Sequence, residues 1–168
     1  MTCGVTTSLA DEYDEHWVYG SDYVPWMSAR IAEALSLSSS DRIVDIGCGT
    51  GLFAREVERL VRPARPIVCA DPSEPMLRQL GTDPGSRLVP LLASAEDLAA
   101  GHVGLLYAQL DAMWLKESAH HVADPAKTLQ GLAGLLAPGG RLLVAMLLAT
   151  TRPARAHGCP PVFVAHIR

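Results

Sequence analysis

The chain has 168 residues, 49% of them hydrophobic and 19% charged, which is the length of one globular domain with enough apolar side chains to bury a core. A net charge of −4, with Lys and Arg scattered and not in runs, leaves no electrostatic footprint for nucleic acid, and the longest apolar run, residues 142–149, is too short to cross a bilayer. Cys3, Cys48, Cys69 and Cys159 form no CxxC pair and read as reduced thiols; the start of the chain turns acidic and does not read as a signal peptide. The expectation is a soluble cytoplasmic protein.

The first forty residues read as a helical segment that holds Trp17, Tyr19, Tyr23 and Trp26. Pro25 opens a helix with Met27, Ile31, Ala34 and Leu35 on one face, and the serines at 38–40 end it. Residues 42–46 form a short apolar strand that breaks at Gly47, followed by a helix with Phe53, Val57, Leu60 and Val61 on one face, which stops before Pro63. Residues 66–70 are a second strand ending at Asp71, and residues 73–80 a short helix with Gly81 as its C-cap. A third strand is expected over 88–93, a helical turn over 94–99, and a fourth strand over 111–116. Asp124 caps a helix with Pro125 at its first position and Leu129, Leu132 and Leu136 facing the core; Pro138-Gly139-Gly140 ends it, and residues 141–148 are a fifth strand. Apolar strands alternating with helices imply an α/β fold, a doubly wound, mostly parallel sheet covered on both sides. The organisation expected is a helical segment over 1–40, a core over 41–148 and a short tail over 149–168.

The sharpest local signal is Val44-Asp45-Ile46-Gly47-Cys48-Gly49-Thr50-Gly51, between a strand and a helix, where ligand loops of such sheets lie. Glycines at alternate positions permit a tight turn and the close approach of a ligand to the backbone. The following helix offers free N–H groups to an anionic group such as a carboxylate, and Asp45 at the strand tip is placed to meet an ammonium.

This string resembles the first motif of the class I S-adenosylmethionine-dependent methyltransferases, whose fold is Rossmann-like. Asp71 resembles the family's acid that hydrogen-bonds both ribose hydroxyls, with Pro72 beside it, and Met76 matches a position that packs near the adenine. Ser94, Ala95 and Glu96 resemble the third motif, which recognises the adenine edge. Residues 110–122 resemble the fourth strand and its following turn, and residues 136–142 the loop into the fifth strand. The resemblance covers residues 40–148. It implies S-adenosylmethionine held by Asp45, Gly47, Cys48, Gly49, Gly51, Asp71, Pro72, Met76, Ser94, Ala95, Glu96 and Lys116, and methyl transfer to an O, N or C centre of a small molecule.

The chain departs from the family pattern in three places. Ser94 stands where an acidic residue is usual; with Asp97 three residues on, it reads equally as a helix cap or as an adenine contact. Residues 99–107 form a Gly-containing stretch before the fourth strand. After residue 148 only 20 residues remain, room for one strand over 162–167 where the family sheet adds an antiparallel pair. The C-terminal strands are therefore expected to be shortened or incomplete, with an apolar edge that a homodimer partner could cover.

His120 and His121, past the fourth strand, lie where the transferred methyl is expected; either could deprotonate an acceptor, His121 the better placed, and the plainer reading is that they pack the loop. Tyr13 and Trp17, four apart, are candidates for a lid over acceptor and cofactor, against simple packing of the first helix. His157, Cys159 and His166 match no metal spacing, and no metal is expected. A nicotinamide-dependent dehydrogenase is disfavoured because Leu52 occupies the position of the third fingerprint glycine. The alternative from another class is a catalytically inactive cofactor-binding relative that acts through dimerisation or a partner.

Overall fold

The computed structural model describes residues 22–80 and 84–146. Helix α1, Tyr23–Ala34, buries Met27 and Ile31, with Leu35 at its C-cap, on the face that the four-residue spacing indicates. It begins two residues before Pro25, which sits in the first turn, where a missing N–H leaves no intrahelical bond unmade. Strand β1, Ile43–Ile46, helix α2, Leu52–Val61, and strand β2, Ile67–Asp71, follow. Helix α3, Glu74–Arg78, is shorter than its sequence suggests and is capped by Gln79; Gly81 lies outside the described residues. Then come β3, Leu88–Leu92, helix α4, Ala95–Ala99, strand β4, Leu110–Lys116, a 3-10 turn over Ala119–His121, helix α5, Pro125–Ala133, and β5, Leu136–Ala145.

Among the described residues the strands form one parallel sheet in the order β3-β2-β1-β4-β5. The chain winds outward from β1 in one direction and then from β4 in the other, so the switch point opens beyond the C-terminal ends of β1 and β4. Strands β1 and β2 are buried at every position, as both-face coverage requires. One face carries Ile43, Cys69, Trp114 and Leu143 against α1 and α2; the other carries Val44, Val68, Met113 and Leu142 against α4 and α5. Each such fully buried aliphatic side chain contributes about 1.5–3 kcal/mol. Edge strand β3 exposes Val89 and Leu92, and Pro90 at its centre offers no N–H to a further strand.

The fifth strand corrects the reading in which Pro138-Gly139-Gly140 ends a helix. Helix α5 stops at Ala133, Leu136 already pairs with Leu110, and the register slips before Ala112 meets Arg141. The proline and the left-handed Gly139 form an irregularity inside the strand. Residues 99–107 also gain a role: Val103, Leu105 and Tyr107 pack on the α4–α5 side of the core, and the Tyr107 hydroxyl donates to the Pro66 carbonyl at 2.7 Å. At the opposite end of the sheet from the switch point, Arg42 makes a two-pronged pair with Asp111, both contacts 2.8 Å, and holds that carboxyl down at about 2. Among the described residues no helix is long and apolar enough to cross a membrane.

Candidate functional site

Beyond β1 the backbone passes through left-handed conformations at Gly47, Gly49 and Gly51 (φ 73°, 56° and 82°), the reason glycine recurs there. The Gly47 and Cys48 N–H groups donate to the Ala70 carbonyl at 2.7 and 3.1 Å, which lays the loop across the end of β2. Gly51 is the N-cap of α2, so the helix starts directly under the loop. The Asp71 carboxylate joins the two strand ends: Oδ2 accepts from the Gly49 N–H at 2.9 Å and Oδ1 from the Ser73 N–H at 2.8 Å. Each oxygen keeps capacity for a further donor. Pro72 follows on the surface, and Met76 is buried on α3.

A second polar group sits beneath the loop, on the sheet face covered by α1 and α2. Asp45 lies in register with Cys69 on one side and Trp114 on the other, and Lys116 follows two residues along β4 on the same face. Burial, and then the neighbouring Asp71, push the Asp45 carboxyl up to about 8, against the pull of the Trp114 indole and the Lys116 ammonium. Lys116 is pulled down to about 8 by burial, opposed by Glu117 and Asp45. Its Nζ lies 4.6 Å from the Phe53 ring centre, 5.1 Å from that of Tyr23 and 4.0 Å from Glu117. The Cys48 thiol is driven up by its contact with Cys69 and by burial, which leaves it unreactive.

The pH dependence follows from these two groups. Between about pH 4 and 8 the folded chain keeps a proton on Asp45 that the unfolded chain has lost, so cofactor-free stability should fall as pH rises through that window. Between about 8 and 10.5 the folded chain lacks a Lys116 proton that the unfolded chain holds, so stability should recover. Thermal melting at constant ionic strength should show the falling limb in the native sequence and a flatter one in Asp45→Asn. Identical curves for the two proteins would disprove the assignment to Asp45.

The remaining sequence candidates fall into separate groups. Ser94 closes a full capping box: its N–H and hydroxyl both donate to Asp97, and its Oγ accepts from the Asp97 N–H at 3.0 Å. Its side chain is therefore engaged in starting α4. Ala95 is buried behind it, and Glu96 accepts from the Ala123 N–H at 3.2 Å, tying α4 to the turn after β4. His120 and His121 are exposed in that turn, with ring centres 3.9 Å apart. Tyr13, Trp17, His157, Cys159 and His166 lie outside the described residues. Among the described residues no group of three or more His, Cys, Asp or Glu could hold a metal.

Sequence reading missed Ser118, whose hydroxyl donates to the Ile46 carbonyl at 2.9 Å and whose Cβ would lie 2.3 Å from a Cβ placed on Gly47. It also missed the Tyr23–Phe53 pair around Lys116, with rings at 87° and 6.2 Å. Neither had a local signal, because each contact joins distant segments.

The chain whose parallel sheet carries this left-handed glycine loop beside Asp45 and Asp71 matches one family model, "Methyltransferase domain", over residues 44–144. The chain belongs to this methyltransferase family. A curated relative, the ubiquinone biosynthesis O-methyltransferase of Xanthomonas axonopodis pv. citri, is 32% identical over 125 residues, 74% of this chain and 48% of that protein. The chain thus spans about half the length of the curated relatives it matches. The CcbJ methyltransferase from Streptomyces caelestis superposes with a TM-score of 0.63 at 21% identity, covering 83% of this chain and 55% of that one. The plantazolicin methyltransferase BpumL, solved with a monoazolic desmethylPZN analog and SAH, gives a TM-score of 0.62 at 13% identity, covering 83% and 52%. These structures support the Rossmann-like α/β fold of the methyltransferase domain.

Proposed function

We propose that this methyltransferase domain binds S-adenosylmethionine across the ends of β1 and β2 and passes its methyl group to an oxygen of a small-molecule acceptor. The observation that carries the reading is the Asp71 carboxylate, hydrogen-bonded to the glycine loop with lone pairs to spare. The residues present fit the cofactor: Asp71 can take two ribose hydroxyls, and buried Asp45 is a carboxyl that gains from an incoming ammonium. Gly47, Cys48, Gly49 and Gly51 would let it approach the backbone, and Met76, Ala95 and Glu96 would hold the adenine. Ser94 would contribute there by holding α4 in place, and Lys116 would add a cation for the cofactor's amino-acid end.

When bound, the sulfonium supplies an electrophilic methyl whose transfer is an in-line displacement, releasing the thioether. This chain's part is to fix the donor and acceptor in line and to exclude water. An oxygen acceptor loses a proton as its bond to carbon forms, and His121, with His120 against it, would accept that proton. The O-methyltransferase names of the curated relatives support oxygen over nitrogen or carbon and favour a catalytic role over an inactive binder. The lid role of Tyr13 and Trp17, the division at residues 40 and 148, and the cytoplasmic location belong to this same reading.

Calorimetric titration should give saturable binding of S-adenosylmethionine and none of NAD. With a phenolic acceptor, His121→Gln should slow transfer by about a hundredfold, the low end for a positioned base because His120 stands beside it. An unchanged rate and pH profile in a His120→Gln/His121→Gln double variant would remove both residues from the chemistry.

A further inference from the structure

Helix α2 leads away from the glycine loop and carries Arg55 and Arg59 on one side, in i, i+4 spacing, with Arg62 as its left-handed C-cap. The structure brings Arg87, at the start of β3, against them, and the four guanidinium groups line a cleft of about 560 Å³ with Glu58 and Ser86. That volume is within the usual range of small-molecule sites, roughly 300–1,000 Å³. The sequence hides this grouping, because its arginines are spread over more than thirty positions in a chain of net charge −4.

Among the described residues the cleft keeps a net positive charge. Arg59 is paired with Glu56 at 2.6 Å, but among the described residues Arg55, Arg62 and Arg87 form no ion pair. Arg55 is braced by backbone carbonyls, donating to Thr50 at 2.7 Å and Gln79 at 2.6 Å, and Arg87 donates to the Ala64 carbonyl at 2.5 Å. These bonds orient the guanidinium groups without cancelling their charge. Among the described residues the one carboxylate in the lining is Glu58, which accepts from the Ser86 hydroxyl at 3.1 Å and from the Arg87 N–H and offsets one of the four charges. Among the described residues no aromatic side chain lines the cleft to stack a base or another planar ring. From Arg55 to its last residue, Val61, the helix rises about 9 Å, longer than one phosphate group.

We propose that this cleft is an anion site for the phosphate chain of a small polyphosphorylated ligand, separate from the cofactor site. Arginine forks match phosphate oxygens in pairs, and a row of them suits consecutive phosphates better than one.

The test is calorimetric titration of the whole chain with sodium tripolyphosphate in metal-free buffer at low ionic strength. Saturable one-site binding is expected, falling about tenfold or more in Arg62→Gln/Arg87→Gln and steeply with added salt. Arg62→Lys/Arg87→Lys, which keeps the charge, should bind with intermediate affinity. Arg30→Gln, in an exposed pair with Glu33 on α1, should bind as the native chain does. No saturation in the native chain, or equal affinity in the Gln double variant, overturns the proposal. Equal affinity for inorganic phosphate would overturn the extended ligand, and displacement of tripolyphosphate by a lower concentration of single-stranded oligonucleotide would overturn the small one.

Discussion

Asp71→Ala should weaken S-adenosylmethionine binding by about a hundredfold, roughly 3 kcal/mol, a conservative figure for two hydrogen bonds to a charged group. The same carboxylate serves two ends of the site. Towards the protein it accepts the Gly49 and Ser73 N–H groups, so alanine leaves both donors without their acceptor and loosens the loop before any ligand arrives. Towards the proposed ribose it presents the remaining lone pairs of each oxygen. Asp71→Asn keeps one carbonyl oxygen and loses the charge, and its affinity should fall between the two. Asp71 also helps hold the Asp45 carboxyl high, so Asp71→Ala should move the falling limb of the stability curve to lower pH. Calorimetry measures the affinity, and melting of the same samples separates loop loosening from loss of ligand contacts. Unchanged affinity in Asp71→Ala would place the cofactor somewhere other than the end of β2.

The part of this site that could be read in the sequence is the part made by contiguous residues. Gly47, Gly49 and Gly51 are legible because left-handed backbone selects glycine, Asp71 because it closes an apolar strand, and Asp45 because it is the one charged residue in the apolar strand before the glycine loop. The capping reading of Ser94 and Asp97 rests on a three-residue spacing and is also local. Pairings across the sheet are not legible in this way. Ser118 packs on Gly47 from 71 positions away, and the choice of Trp114 as the neighbour of Asp45 depends on the register between β4 and β1. Strand β5 misled for a related reason: Pro138-Gly139-Gly140 has the composition of a helix stop, and only its pairing with β4 shows that the chain is already in the sheet.

Gly47→Ala is expected to abolish measurable S-adenosylmethionine binding while the rest of the sheet stays folded. Two costs coincide at this residue. A φ of +73° costs a residue with a Cβ about 1–2 kcal/mol. That Cβ would also lie 2.3 Å from Ser118 Cβ and 2.6 Å from its Oγ, where carbon atoms prefer about 3.5–4.0 Å. Ser118 has little freedom to retreat, since its hydroxyl is bound to the Ile46 carbonyl and it follows Glu117, itself at a φ of +54°. Relief then requires the loop to lift from β2 and break the 2.7 Å bond from the Gly47 N–H to the Ala70 carbonyl. Adding about 1–3 kcal/mol for overpacking, the total is roughly 2–5 kcal/mol, concentrated on the loop that would hold the cofactor. Ser118→Gly alone should cost only about 1 kcal/mol, the worth of its one hydrogen bond. Combined with Gly47→Ala it should restore binding in part, because it removes the clash and leaves the backbone penalty. The double-variant cycle therefore separates the two costs: coupling of about 1–3 kcal/mol identifies the steric contact, and coupling near zero would mean that backbone conformation alone requires glycine at this position.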